Sequence, residues 1–211
     1  MTKHKKLKIL AASDLHGDSR LTKKLAERAE KEGVDIVVLC GDLTGFGESN
    51  NLIKPFKDRN QKVLLLPGNW DSFATTDFLA QLYGMKNIHG YSAVYNGVGF
   101  FGAGSASTAL GPRSGISENE LFKTLEKAHA GLEGIEKKVM LTHMHPAGGI
   151  SEEVTQKSFG VRGSDSITRA IKKFKPDLLL HGHIHETFGT EDRIGKTRVI
   201  NVGRDGVIIE I

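Results

Sequence analysis

Three features of this 211-residue chain predict an α/β fold. Short, nearly continuous apolar runs recur: LKILAA (7–12), DIVVLC (35–40), KVLLL (62–66), KVMLT (138–142) and DLLL (177–180). They read as strands buried on both faces, since a strand with one wet face would alternate apolar and polar residues. Several of the intervening segments repeat their apolar residues every three or four positions, the spacing of one helix face. Gly, Asp or Asn bounds the runs, and these residues mark turns.

The elements follow in order. LKILAA leads into a helix over 18–31, where Leu21, Leu25 and Ala29 share a face. After the strands at 35–40 and 62–66 come, respectively, a helix over 50–60, distorted by Pro55, and a helix starting near Ser72. From 87 to 104 the pattern turns β-like, and SAVYNGVGFFGAG reads as a hairpin about Asn96-Gly97, residues that accept a tight turn. Helices are predicted over 117–132 and 165–175, the latter with Ile167, Ile171 and Phe174 on one face. Each precedes one of the remaining apolar strands. The end, TFGTEDRIGKTRVINVGRDGVIIEI, reads as short antiparallel strands joined by Gly turns.

With 38% apolar residues the chain can build one substantial core, and no linker, repeat or low-complexity tract divides it, so a single domain over 1–211 is expected. No apolar run reaches the roughly 18 residues of a membrane span, and the basic start MTKHKK passes directly into the first strand, so no membrane partner is expected. The one cysteine, Cys40, sits inside an apolar strand, which points to packing and to a reducing, cytoplasmic setting. The formal net charge is +4, but its lysines are dispersed among acids and lack a basic-aromatic cluster, so nucleic acid is not favoured as a partner.

The chemistry concentrates where the strands stop. The first strand leads to Asp14 and His16, the second to Asp42, the third to Asn69, the fourth to His143, and the leucine strand to His183 and His185. In open α/β sheets the carboxyl ends of parallel strands border the ligand crevice, so these loops are expected to converge on one site. If the segments are extended, Asp14 and His16 point the same way, as do His183 and His185. Gly41, Gly68 and Gly182 precede ligand-type residues and allow close backbone approach. Imidazole, carboxylate and amide oxygen without thiolate suit Mn, Fe, Co, Ni or Zn. Seven such groups exceed one ion's needs and suit two divalent metals sharing a carboxylate. HIHE is no zincin helix, since position 189 is Gly, and GFFGAGS lacks the lysine of a phosphate-binding loop. His181 reads as structural, as do His89 and His129.

This ordered set, D-x-H, G-D, G-N, a lone His and G-H-x-H, resembles the calcineurin-like metallophosphoesterase family over nearly the whole chain, and the NVG segment at 201–203 resembles its closing turn. The resemblance implies a four-layer αββα sandwich of two stacked mixed sheets flanked by helices, with a dinuclear metal site at the carboxyl ends of the strands. It implies that Asp14, His16 and His185 hold one metal, that Asn69, His143 and His183 hold the other, and that Asp42 bridges them. The activity implied is hydrolysis of a small-molecule phosphoester, a phosphodiester first, by a hydroxide bridging the two metals, with Asp42 and Asn69 as catalytic ligands. A non-catalytic metal-binding scaffold and a nuclease are the alternatives.

The sequence departs from the family pattern at Gly68-Asn69-Trp70-Asp71, where many members carry a histidine in place of Trp70. An indole cannot act as a general acid, so the proton for the leaving group needs another source, and His145 in THMHP is the candidate. Asp71 reads as the cap of the following helix.

Overall fold

In the computed structural model, which describes residues 6–45, 51–107 and 115–211, the apolar runs become the inner strands of two sheets. The first half of the chain holds β1 (Lys8–Ala12), α1 (Ser19–Lys31), β2 (Ile36–Cys40), α2 (Lys54–Asp58), β3 (Val63–Leu66), α3 (Phe73–Tyr83) and β4 (Lys86–Asn87). Then come β5 (Ser92–Tyr95), β6 (Val98–Ala103), β7 (Ala106–Ser107), β8 (Gly115–Ile116), α4 (Glu118–Ala130) and β9 (Lys137–Thr142). The last part comprises α5 (Ile150–Phe159), α6 (Asp165–Phe174), β10 (Leu178–His181), β11 (Glu191–Ile194), β12 (Thr197–Asn201) and β13 (Val207–Glu210).

One sheet has the order β13-β1-β2-β3-β4 and the other β11-β12-β10-β9-β6-β5. Their inner strands run parallel, while β13, β11 and β5 are antiparallel edges. Each inner strand is buried on both faces because the sheets stack. Ile9, Val38 and Leu64 meet Phe100, Val139 and Leu180 between them. The opposite face of the first sheet, with Leu10, Leu39 and Leu65, packs on Leu25, Phe56 and Leu79 of α1, α2 and α3. Phe101, Met140 and Leu179 of the second sheet pack on Leu125 of α4 and Ile167 and Ile171 of α6. Helix, sheet, sheet and helix make the four layers.

Local signals set several boundaries. Asp18 caps α1, accepting the N–H groups of Arg20 and Leu21, and Ser117 with Glu120 forms a reciprocal capping box on α4. The hairpin turns at Asn96 and Gly97, whose φ angles are 49° and 78°.

Three expectations change. The helix foreseen over 50–60 is only Lys54–Asp58, because Pro55 sits in its first turn and suits a start rather than an interior; position 50 lies outside the described residues. Helix α5 was not foreseen: ISEEVTQKSF carries little apolar periodicity, and tertiary contacts fix it, Ser151 Oγ to Thr187 Oγ1 at 2.9 Å and Ile150 N–H to Asp192 Oδ2 at 2.9 Å. The tail is not one antiparallel meander. β12 pairs parallel with β10, and after a turn at 202–206 β13 crosses to the other sheet and runs antiparallel to β1. Among the described residues, no helix is long and apolar enough to cross a membrane.

Candidate metal centre

Asp14, Asp42, Asn69, His143 and His183 all lie just past the carboxyl ends of parallel strands, and backbone bonds between the loops gather them. Asp14 N–H donates to Gly41 O at 3.0 Å, His16 N–H to Asp42 O at 2.9 Å, and Gly182 N–H to His143 O at 3.0 Å. The loops are not extended. Asp14, His16, Asp42 and His183 have φ of 57°, 46°, 50° and 73°, so left-handed turns, not strand alternation, bring Asp14 and His16 together, while His183 stands by His143 and His185 by Asp14 and His16. The loops meet so closely that a Cβ on Gly41 would lie 2.6 Å from His143 Nδ1 and 2.7 Å from Gly68 N. On Gly68 it would collide with Asp42, and on Gly182 with Ser13 and Asp14.

Two groups of ligand atoms result, each within 4.8 Å of one another: Asp14, His16 and His185, and Asp14, Asp42 and His143. Asp14 belongs to both groups, while the two oxygens of Asp42 face one histidine of each. Oδ2 stands 3.7 Å from His16 Nε2, while Oδ1 stands 3.4 Å from His143 Nε2. Asp14 Oδ1 lies 3.5 Å from His185 Nε2, and its Oδ2 accepts the His183 N–H at 3.1 Å and the hydroxyl of Ser13. Asn69 Oδ1 approaches His143 Nε2 at 2.9 Å, and the rings of His143 and His183 lie 5.0 Å apart. All seven residues marked in the sequence thus gather in one cluster.

The electrostatics follow from burying opposite charges together. Asp14 and Asp42 are almost wholly buried. Burial opposes the Asp14 charge, yet the attraction of His185 Nε2 at 3.5 Å, the charge of His143 and the Ser13 hydroxyl outweigh it and hold the carboxyl at about 2. Burial also opposes charge on His143, but Asp42 and Asp14 prevail and raise it to about 9. His183, shielded from water and beside His143, is pushed down to about 4. His185, half in solvent, is raised by the Asp14 carboxylate beside it.

The donor set fits divalent cations. His143 Nδ1 lies 2.8 Å from the Cys40 carbonyl oxygen, which only accepts, so Nδ1 carries a proton and Nε2 turns toward Asp42 and Asn69. The proton that the raised His143 keeps on Nε2 lies between the oxygens of Asp42 and Asn69, and a cation taking its place would meet three ligand atoms. Asp14 Oδ1 is buried without a hydrogen-bond partner among the described residues. Such an orphaned buried carboxylate oxygen is costly unless a cation completes it.

Four neighbours complete the picture. His145 sits behind His183, the ring centroids 6.2 Å apart, with its side chain wholly buried and neither ring nitrogen hydrogen-bonded among the described residues. Trp70 is partly exposed, donates its backbone N–H to Asp42 Oδ1 at 2.9 Å, and meets His16 edge to face. Asp71 does not cap α3, a task that falls to Ser72. It is buried and accepts the N–H groups of Leu43, Thr44 and Gly68. Asn201 was also missed: its side-chain amide donates to Ile184 O at 2.7 Å and Thr187 Oγ1 at 2.9 Å, anchoring the loop that carries His185. Its place two residues before Gly203 in the NVG turn was the available signal.

Comparison with known proteins covers nearly the whole chain. The family model for the calcineurin-like phosphoesterase superfamily domain matches residues 7–207. An uncharacterized protein of Methanocaldococcus jannaschii is 30% identical over 205 residues, covering 93% of this chain and 88% of its own. A crystal structure of a Thermus thermophilus protein aligns with a TM-score of 0.75 at 18% identity, over 95% of this chain and 91% of its own. An archaeal phosphodiesterase aligns with a TM-score of 0.54 at 18% identity, over 97% of this chain and 99% of its own. At these identities the solved structures establish the shared fold.

Proposed function

Because the chain belongs to the calcineurin-like phosphoesterase superfamily, we propose that it hydrolyses phosphoesters, diesters first, at a centre of two divalent metals. The observation that carries this reading is the division of the Asp42 carboxylate, one oxygen toward His16 and the other toward His143. A single residue so placed can bridge two cations. On this reading Asp14, His16 and His185 hold one, and Asn69, His143 and His183 the other. Mn, Fe, Co, Ni and Zn all suit the donors. Diesters come first because that is the class named for the archaeal protein whose fold this chain shares.

Bound cations would neutralise charge on the phosphoryl oxygens and acidify a bound water. The chain's own part is arrangement. Asp14 and Asp42 are buried where water cannot compete for them, and the Cys40 carbonyl fixes the tautomer of His143. His16 and His185 have side-chain exposures of 26% and 49%, so the phosphoester enters on their side.

Metal content and turnover test the proposal together. After loading with Mn²⁺ or Zn²⁺, wild type is expected to hold two ions and to cleave a bis-nitrophenyl phosphate diester, and a chelator is expected to abolish cleavage. Asp42→Ala is expected to lower both occupancy and rate. Occupancy of one ion, untouched by that substitution, would remove the bridge; full occupancy without cleavage of any activated ester would leave a metal-binding scaffold.

A further inference from the structure

The open side of the centre is lined by rings. Trp70 lies 5.9 Å from His16, at 88°, His16 lies 5.4 Å from His185, and His185 lies 4.8 Å from Phe188. The four form a continuous aromatic rim above the buried carboxylates, and its two ends, Trp70 and Phe188, are the members outside the ligand set.

Trp70 cannot stand far from the reacting phosphorus. Its backbone N–H donates at 2.9 Å to the Oδ1 of Asp42 that faces His143. The next residue, Asp71, is clamped to Leu43, Thr44 and Gly68. The indole therefore projects from a backbone held at both ends, at a fixed offset from the residue proposed to bridge the cations. An indole offers a wide apolar face and one N–H donor, and it delivers no proton. A phosphate held at Asp42 would lie beside the residue that carries this indole.

We propose that Trp70 is a specificity-determining residue whose indole receives a planar aromatic group of the substrate, so that the preferred esters carry an aryl ring or a nucleobase rather than an alkyl chain. The inference rests on the phosphoesterase reading. Stacking a planar ring on an already ordered aromatic residue releases water from both faces and strengthens binding by roughly tenfold or more.

The chain contains one tryptophan, so its intrinsic fluorescence reports on this position alone. The test uses Zn²⁺-loaded protein titrated with inorganic phosphate, glycerol phosphate, phenyl phosphate and a nucleoside monophosphate, followed by fluorescence and calorimetry. The ring-bearing ligands are expected to perturb the emission and to bind about tenfold more tightly than glycerol phosphate. Trp70→Ala is expected to erase that preference, and Trp70→Phe to keep most of it. A gain confined to the nucleotide identifies a base as the stacked group, and an equal gain for phenyl phosphate identifies any planar ring. Equal affinity for alkyl and ring-bearing ligands in wild type would overturn the proposal. So would a Trp70→Ala variant that weakens every ligand, inorganic phosphate included, by the same factor, since that marks a packing residue. Absence of binding by all four ligands at full metal occupancy would remove the phosphoesterase reading itself.

Discussion

Asp71 holds Thr44 with a single oxygen: Oδ1 accepts both the backbone N–H and the hydroxyl of Thr44, each at 2.8 Å. Its other oxygen accepts Leu43 N–H at 3.0 Å and Gly68 N–H at 2.8 Å. One buried carboxylate thus ties the loop bearing Asp42 to the loop bearing Asn69. An amide in its place turns N–H groups against backbone donors, and each donor left unsatisfied costs about 1–3 kcal/mol. Asp71→Asn is expected to lower stability by about 2–4 kcal/mol and to weaken metal binding at Asp42 and Asn69. Urea unfolding and metal titration check this; a stability loss with unchanged metal affinity would confine Asp71 to the fold.

Crowding at the loop crossing predicts a contrast between two glycines. Gly41 has φ of 88° and no room for a methyl group beside His143 and Gly68, whereas Gly189 has φ of 79° and nothing within 4 Å of the added carbon. Gly189→Ala is expected to cost only the backbone conformation, about 1–2 kcal/mol. Gly41→Ala adds overpacking of roughly 1–3 kcal/mol and displaces His143. Thermal melts rank the two, and loss of metal from Gly41→Ala alone places the difference at the site.

The metal-free protein should have a stability maximum near neutral pH. His145 and His89 are pushed down to about 3 and about 4 from an ordinary 6.5, first by burial and then, for His145, by His181 and His183, and for His89, by Lys127, with Asp77 working the other way. A lowered histidine contributes stability that is full above the unfolded value and is lost as pH falls from about 6.5 toward the folded values. His143, raised to about 9, contributes the opposite: its share is full below 6.5 and is lost as pH rises through about 9. Chemical unfolding in the presence of a chelator, from pH 4 to pH 9.5, should fall off on both sides. His89 Nδ1 accepts the Gly104 N–H at 3.0 Å, so His89→Asn preserves an acceptor and should flatten the acid limb; a curve of constant height would refute the assignment.

The burial of His145 bears on the leaving group. With its ring enclosed behind His183, proton delivery to a departing alkoxide is not expected from it. Wild type should therefore cleave nitrophenyl esters far better than alkyl esters, and His145→Gln should leave the dependence of rate on leaving-group pKa unchanged while reducing stability. A steeper dependence in the variant would instead make His145 the acid and require an opening motion that exposes it.

Much of this was legible in the sequence because it depends on local composition. Uninterrupted apolar runs such as IVVLC and LLLH can be satisfied only by burial on both faces, so the sandwich core was readable. Aspartates and histidines placed where those runs stop could be assigned to the carboxyl ends of strands, and Asp14, Asp42, Asn69, His143 and His183 stand there. Gly41, Gly68 and Gly182 announced the close approach that their neighbours confirm.

What remained depends on contacts between distant positions. The left-handed turns at Asp14, His16 and His183 replace the extended geometry that spacing suggested, because the loops bond to one another rather than continuing their strands. Asp71 looked like a helix cap, since nothing near it in sequence reveals that its donors come from Leu43 and Thr44. Helix α5 carries too weak a periodicity to be seen alone and is held by Thr187 and Asp192, far along the chain. The tail divides between two sheets because β12 finds a parallel partner in β10 and β13 an antiparallel one in β1. Apolar patterning by itself determined which segments are buried and which ligand types end them. Which oxygen of Asp42 faces which histidine was decided only by the tertiary structure, because hydrogen bonds between loops distant in sequence set those directions.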